Sequence, residues 1–344
     1  MYRPATRNEW LFCGILLIQA AIIIALEIFI LVEWQLWVRP NIIQVTVSYS
    51  VPINLAIFIF TCVYELVLAV DAVHHKNNLL IFAICIANVC ILVFSGLQIQ
   101  AMKEVVSDLP CERDDEYHPL VKLDVDFWHR IRPAQWTCPI VFGLCTLVIW
   151  PCAYQLHKEY AWAIYRSIRG DIGMKYRYLA YEVYLVLIKL DLYFITGFVI
   201  QYDLIDVHFQ EPEFGLTLGL LLASFLMMIL AIYFVRRENK IAMVMIILCH
   251  TAIIAYLLSR IVILYGHGFL AKTAGKNMML LFAFIALILM VFTLLCAVLC
   301  LSNFNCGLKS VLDAKRSEQD AYQFETLSDR AKVSYFPDQR LSIE

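Results

Sequence analysis

The chain has 344 residues, 62% of them hydrophobic and 16% charged, with a net charge of -2. Soluble domains carry roughly half apolar and a quarter charged residues, so a soluble globular architecture is excluded. The near-neutral balance leaves no electrostatic footprint for nucleic acid, and the lipid bilayer is the expected solvent for most of the protein.

Residues 1–9 are polar and include Arg3 and Arg7. The apolar run 10–32 is too long for a signal-peptide core and reads as a retained span. Further spans are predicted at 52–73, 79–101, 139–156, 178–202, 214–235, 241–265 and 278–301. The expected fold is therefore an all-α polytopic bundle of eight transmembrane helices over 10–301. The weakest span, 139–156, is short and contains Pro151. A long loop at 102–138 and a basic loop at 157–177 interrupt the series, and the tail 302–344 reads as mostly disordered.

Lys and Arg collect in alternate loops. The N-terminal side holds fourteen, Arg3, Arg7, Lys76, Lys158, Arg166, Arg169, Lys175, Arg177, Arg236, Arg237, Lys240, Lys309, Lys315 and Arg316, against eight on the other, Arg39, Lys103, Arg113, Lys122, Arg130, Arg132, Lys272 and Lys276, five of them in one long loop. The opposite 203–213 loop has no basic residue and holds Asp203, Asp206, Glu211 and Glu213. Positive charge stays on the cytosolic side, so both termini are expected in the cytosol.

The stretch 157–203 organises the chain. Ala161, Ile164, Tyr165 and Ile168 recur on one helical face, with Lys158, Arg166 and Arg169 beside it. Gly170 and Gly173 are expected to end that helix. The pattern predicts a short helix lying in the membrane interface, its basic residues and the following Lys175 and Arg177 near anionic headgroups. The span after it carries Glu182, Lys189 and Asp191. A charge near the bilayer centre costs ~2.5–3.5 kcal/mol even on lenient scales, so these residues must face protein or water.

Other spans carry polar stripes. Asn54, Thr61 and Glu65 share a face, as do Asn88 and Ser95. Tyr178, Glu182, Lys189, Tyr193 and Thr196 form one stripe on the fifth span, with Asp191 and Tyr184 on another side. The candidate intramembrane polar core is Glu27, Glu65, Glu182, Lys189, Asp191 and Arg260. Such residues serve either as interhelical glue or as a polar path. Depth counting pairs Glu27 with Arg260 and Glu65 with Lys189, and at least one of these pairs is expected in contact. No broken-helix pair or inverted repeat is evident. Gly215 and Gly219 suit close helix packing.

Most of the twelve cysteines lie inside spans and read as buried thiols. Cys111 and Cys138, at the long loop, form a candidate lumenal disulfide, and Cys300 and Cys306 flank a span end suited to palmitoylation. No P-loop, GxGxxG, HExxH or CxxC occurs. His118, His129, His208 and His267 are scattered on the predicted lumenal side, and His250 alone lies inside a span. No catalytic set, metal site or cofactor is expected. Two loops switch to strand periodicity. Ile43, Val45, Val47 and Tyr49 alternate with polar residues, as do Val121, Leu123, Val125 and Phe127. Pairing of 42–50 with 120–128 into a small lumenal sheet is expected.

The residues Tyr165–Arg166, Arg177–Tyr178, Glu182–Val183–Tyr184 and Lys189–Leu190–Asp191, with the multi-span layout, resemble an uncharacterised family of fungal Golgi apparatus membrane proteins. The resemblance implies a Golgi address and multi-pass topology and carries no catalytic residues. The combined reading is a non-enzymatic Golgi membrane protein supporting transport or trafficking. Its alternatives are a solute or ion transporter using the polar core, and a receptor-like helical bundle. The bilayer is the expected partner, and no protein partner is named by the sequence.

Overall fold

The computed structural model describes residues 6–38, 50–111, 119–122, 125–167, 172–202, 213–266 and 276–304. They form eight long helices: α1 Arg7–Trp37, α2 Ser50–His75, α3 Asn78–Asp108, α4 Phe127–Ser167, α5 Ile172–Gln201, α6 Glu213–Arg237, α7 Lys240–Tyr265 and α8 Lys276–Ser302. Each contains a segment long and apolar enough to cross a membrane. Helices satisfy every backbone group internally, which hydrocarbon demands. Large apolar side chains such as Leu147, Leu222, Ile241 and Val262 stay exposed, as a lipid-facing surface requires.

Local chemistry fixes several helix ends. Thr6 caps α1 in a reciprocal box with Glu9. The α2–α3 and α6–α7 connections share one design. Lys76 and Glu238 take left-handed φ of 51° and 52°. Asn77 N–H then donates to Ala72 O at 2.9 Å, and Asn239 N–H to Phe234 O at 3.3 Å. Each asparagine also caps the next helix: Asn77 accepts from the Leu79 and Leu80 N–H groups, and Asn239 from that of Ala242.

The packing repeats as well. α1 packs on α2 and α4, and α3 on α2 and α4; α5 packs on α6 and α8, and α7 on α6 and α8. The chain is thus two four-helix units with the same order of contacts and the same tight turn between their second and third helices. α5 joins them by packing on α2 and α3, and α8 also touches α3. The span segment of α5 is 78% buried, against 17% for that of α6. Gly197 lets α5 approach α8: a Cβ there would sit 2.5 Å from Phe282 Cε1.

Several sequence expectations change. α3 runs to Asp108 and α4 begins at Phe127, so much of the expected 102–138 loop is helical. α4 contains Pro133, Pro139 and Pro151 and continues unbroken to Ser167. The basic segment 157–167 is therefore a continuation of the fourth span, not a separate interfacial helix. Residues 168–171, with Arg169 and Gly170, lie outside the described residues, and Gly173 is inside α5. Gly215 and Gly219 face open space, not a neighbouring helix.

The lumenal sheet is also revised. Residues 42–49 lie outside the description, and Phe127 and Trp128 open α4. Among the described residues the two loops meet in a single antiparallel bridge, Val38–Val121, with Lys122 N–H donating to Trp37 O at 3.1 Å. Phe127 instead stacks on Trp37 at 4.6 Å between centroids, with Trp34 edge-on to both. Burial of three aromatic rings accounts for Phe127 and Trp128 joining α4 instead of a strand; the sheet itself is not seen among the described residues.

Candidate functional site: polar layers at the junction of two four-helix units

Charged side chains meet where the two units join. Lys189 on α5 lies 2.5 Å, Nζ to Oδ2, from Asp71 on α2. His75, one turn along, is 3.2 Å from the other Asp71 oxygen. Tyr64 on α2 donates to the Lys189 carbonyl at 2.9 Å.

One layer deeper, Glu65 on α2 is buried and accepts from Asn88 Nδ2 of α3 at 3.3 Å and from the Tyr193 hydroxyl of α5 at 3.2 Å. The Thr146 hydroxyl of α4 lies 2.7 Å from both Asn88 Oδ1 and Phe142 O of its own helix, its one proton shared between them. Four helices from both units therefore share one hydrogen-bond network.

A third layer lies within the first unit. Glu27 on α1 accepts from Gln98 of α3 at 3.3 Å and faces the Cys138 thiol of α4 at 3.8 Å. Asp71 and Glu65 are six residues apart on α2, and Asn88 and Gln98 ten apart on α3. At ~1.5 Å per residue the layers span ~24 Å, most of a ~30 Å hydrocarbon core. Phe58, Phe94 and Phe142 separate the second layer from the third. All three are fully buried, and Phe58 lies 5.3 Å from Phe94 and 5.8 Å from Phe142 between centroids.

Neither expected charge pair forms. Glu65 meets neutral donors and Glu27 meets Gln98 and Cys138. Arg260 on α7 instead donates to the Tyr202 hydroxyl at 3.0 Å and lies over the Tyr202 and Tyr256 rings. Two causes account for this. α1 and α7 belong to different units, and α7 packs on α6 and α8. A lysine side chain extends toward the membrane edge, where it meets the partly exposed Asp71 before the buried Glu65. Cys138 is a free, buried thiol inside α4, so it is not half of a disulfide with Cys111, whose side chain is outside the description. Glu182 is bound by the Tyr178 hydroxyl of its own helix.

Asp191, two residues from Lys189, faces the other way, into a cavity with Ser224 of α6 and His250 of α7. Of the basic residues, Lys158 lies over the Tyr154 ring and Arg177 is half-buried on α5. Arg166 and Lys175 lie on helical backbone whose side chains are outside the description. Sequence reasoning missed Asp71 and Ser224. Asp71 was legible as a second carboxylate, six residues after Glu65 and near the end of the same span; Ser224, a small hydroxyl in a mostly apolar helix, carried no signal.

The chain is 28% identical over 274 residues to a Golgi apparatus membrane protein of Schizosaccharomyces pombe, covering 76% of this chain and 78% of the relative. It is a homologue of that fungal protein. The resemblance drawn from the 165–191 region therefore holds. No family model matches the chain, and no solved structure matches it.

Proposed function

We propose that the chain is a multi-pass membrane protein of the Golgi apparatus, with both termini in the cytosol, that supports transport of an ion or small solute and catalyses no reaction. The Golgi address follows the homologue, and the orientation follows the Lys and Arg bias of the loops. In this orientation the basic end of α4 and the start of α5, with Lys158, Arg166, Lys175 and Arg177, face anionic headgroups of the cytosolic leaflet.

One observation carries the transport reading: the polar contacts Lys189–Asp71 and Tyr193–Glu65 both bridge the two four-helix units. Transporters built from parallel repeats bind their substrates at the repeat interface near the bilayer midplane and work by rocking one repeat against the other. Here rocking would break and remake these two contacts.

Two measurements test the reading. A tagged chain should overlap a Golgi marker in cells. Purified protein in sealed vesicles should carry a cation or small-solute flux that Lys189→Leu abolishes while the variant stays folded. Vesicles with wild-type protein that conduct no more than empty ones would remove the transport reading.

A further inference from the structure

The second four-helix unit contains a polar seat of its own, away from the junction residues. Asn88 and His250 each stand eleven residues after the turn asparagine of their unit, Asn77 and Asn239, and both are buried. In the first unit the seat is closed, since donors from Asn88, Tyr193 and Thr146 meet the acceptors of Glu65 and Asn88. In the second, His250 lines a cavity with Asp191, Ser224, Met227, Met228 and Met290. The cavity offers ≈ 20 Å³ to the centres of water-sized molecules. A water needs ~10–15 Å³ by that measure, so the seat has room for a water or one small ion.

The lining presents acceptors. Asp191 is 4% exposed, and both of its carboxylate oxygens lack a hydrogen-bond partner. The Ser224 hydroxyl donates to Leu221 O at 2.8 Å, which leaves its oxygen with lone pairs. His250 Nδ1 is 2.9 Å from Ile246 O. A carbonyl only accepts, so Nδ1 is assigned the proton and Nε2 of the neutral ring keeps a lone pair. The methionine sulfurs are weak acceptors. Thr293 of α8 is the one hydroxyl placed to donate to Asp191, and its single proton is directed to Leu289 O at 3.0 Å. Tyr64 of α2 and Tyr184 of α5 also interact with Asp191 electrostatically, but their hydroxyls are directed to Lys189 O and the Met243 sulfur. Lys189 is turned to Asp71.

A buried carboxylate whose nearest donor, the Thr293 hydroxyl, is already turned to a backbone carbonyl is matched by one positive charge. We propose that Asp191, with Ser224 and His250, binds a single exchangeable monovalent cation, a proton or a sodium ion, between α5, α6 and α7. A single carboxylate balances one charge, and no group of three His, Cys, Asp or Glu side chains suited to a metal ion occurs among the described residues. The proposal does not rest on the transport reading, because it concerns binding and involves none of the junction contacts.

The test uses the full chain in nanodiscs of neutral lipid. Unfolding temperature is followed as sodium replaces an organic cation at constant ionic strength, and the infrared band of protonated carboxylic acids is followed with pH. For a sodium site the unfolding temperature rises with sodium in the wild type and is flat in Asp191→Asn. For a proton site sodium has no effect, and Asp191→Asn removes a titrating acid band. Ser224→Ala, a small change that keeps the helix, should weaken the sodium response or shift the titration. A wild type with neither a sodium response nor a titrating acid band, or an unchanged response in both Asp191→Asn and Ser224→Ala, overturns the proposal. Flux without either response drops the cation seat alone; binding without flux drops the transport reading alone.

Discussion

Lys189 of α5 and Asp71 of α2 hold the two halves of the bundle together at 2.5 Å, while Glu65, six residues deeper, is left to neutral donors. Losing one partner of a buried ion pair costs ~3–5 kcal/mol, more than losing both. This pair is partly exposed, 19% and 29% at the side chains, so the cost falls below that range. Asp71→Leu should destabilise the protein more than Asp71→Leu combined with Lys189→Leu. Unfolding midpoints of the two variants and the wild type in nanodiscs check the order. A double variant less stable than Asp71→Leu would overturn this order, and a double loss equal to the sum of the Asp71→Leu and Lys189→Leu losses would show that the pair is not coupled.

Tyr193 gives Glu65 a donor from across the junction. In Tyr193→Phe the carboxyl group keeps only the Asn88 contact, and an under-satisfied buried acceptor costs ~1–3 kcal/mol. Adding Glu65→Leu should recover part of the loss, because the acceptor is then gone. If the double variant loses the sum of the single losses, the Tyr193–Glu65 contact contributes nothing.

The eight spans were legible because a run of twenty apolar residues has few other uses. The Lys189 and Asp191 faces were legible because a seven-residue step returns to one side of a helix. Neighbour relations were not. Hydropathy gives depth and not position around the bundle, so Glu27 and Arg260 looked like partners although α7 packs on α6 and α8. The start of α4 was hidden by Arg130, Arg132, Pro133 and Pro139, which lower the apolar signal without stopping a helix whose neighbours support it. The two-unit arrangement left few marks in the sequence beyond the paired asparagines of its turns.

Those turns make a matched prediction. Asn77→Ala and Asn239→Ala each remove an N-cap, worth ~1 kcal/mol, and the two losses should be similar. Lys76 and Glu238 hold φ of 51° and 52°, a region that costs a side chain ~1–2 kcal/mol and glycine little. Lys76→Gly and Glu238→Gly should therefore leave stability unchanged or raise it. A loss in either, measured by chemical unfolding, would mean that the side chain is held by a contact worth more than the backbone relief.

Glycines on α5 and α6 should respond in opposite ways. A Cβ on Gly197 would meet Phe282 Cε1 at 2.5 Å and Cδ1 at 2.7 Å. The Phe282 ring is 1% exposed and flanked by Phe94 and Phe194, with centroids at 5.3 and 5.9 Å, so packed rings oppose its retreat. Overpacking of this kind costs ~1–3 kcal/mol, and α5 and α8 should separate in Gly197→Ala, further in Gly197→Leu. Phe282→Leu added to Gly197→Ala removes the opposing ring edge and should restore part of the loss. On α6, Gly215 and Gly219 face open space. Alanine there meets nothing and gains ~0.5–1 kcal/mol of helix preference over glycine, so both variants should be neutral or more stable. Unfolding in nanodiscs reads both sets on one scale. A stable Gly197→Ala would mean that the α5–α8 contact is looser than the Phe282 position indicates. A loss at Gly215 or Gly219 would place a further packed surface on α6.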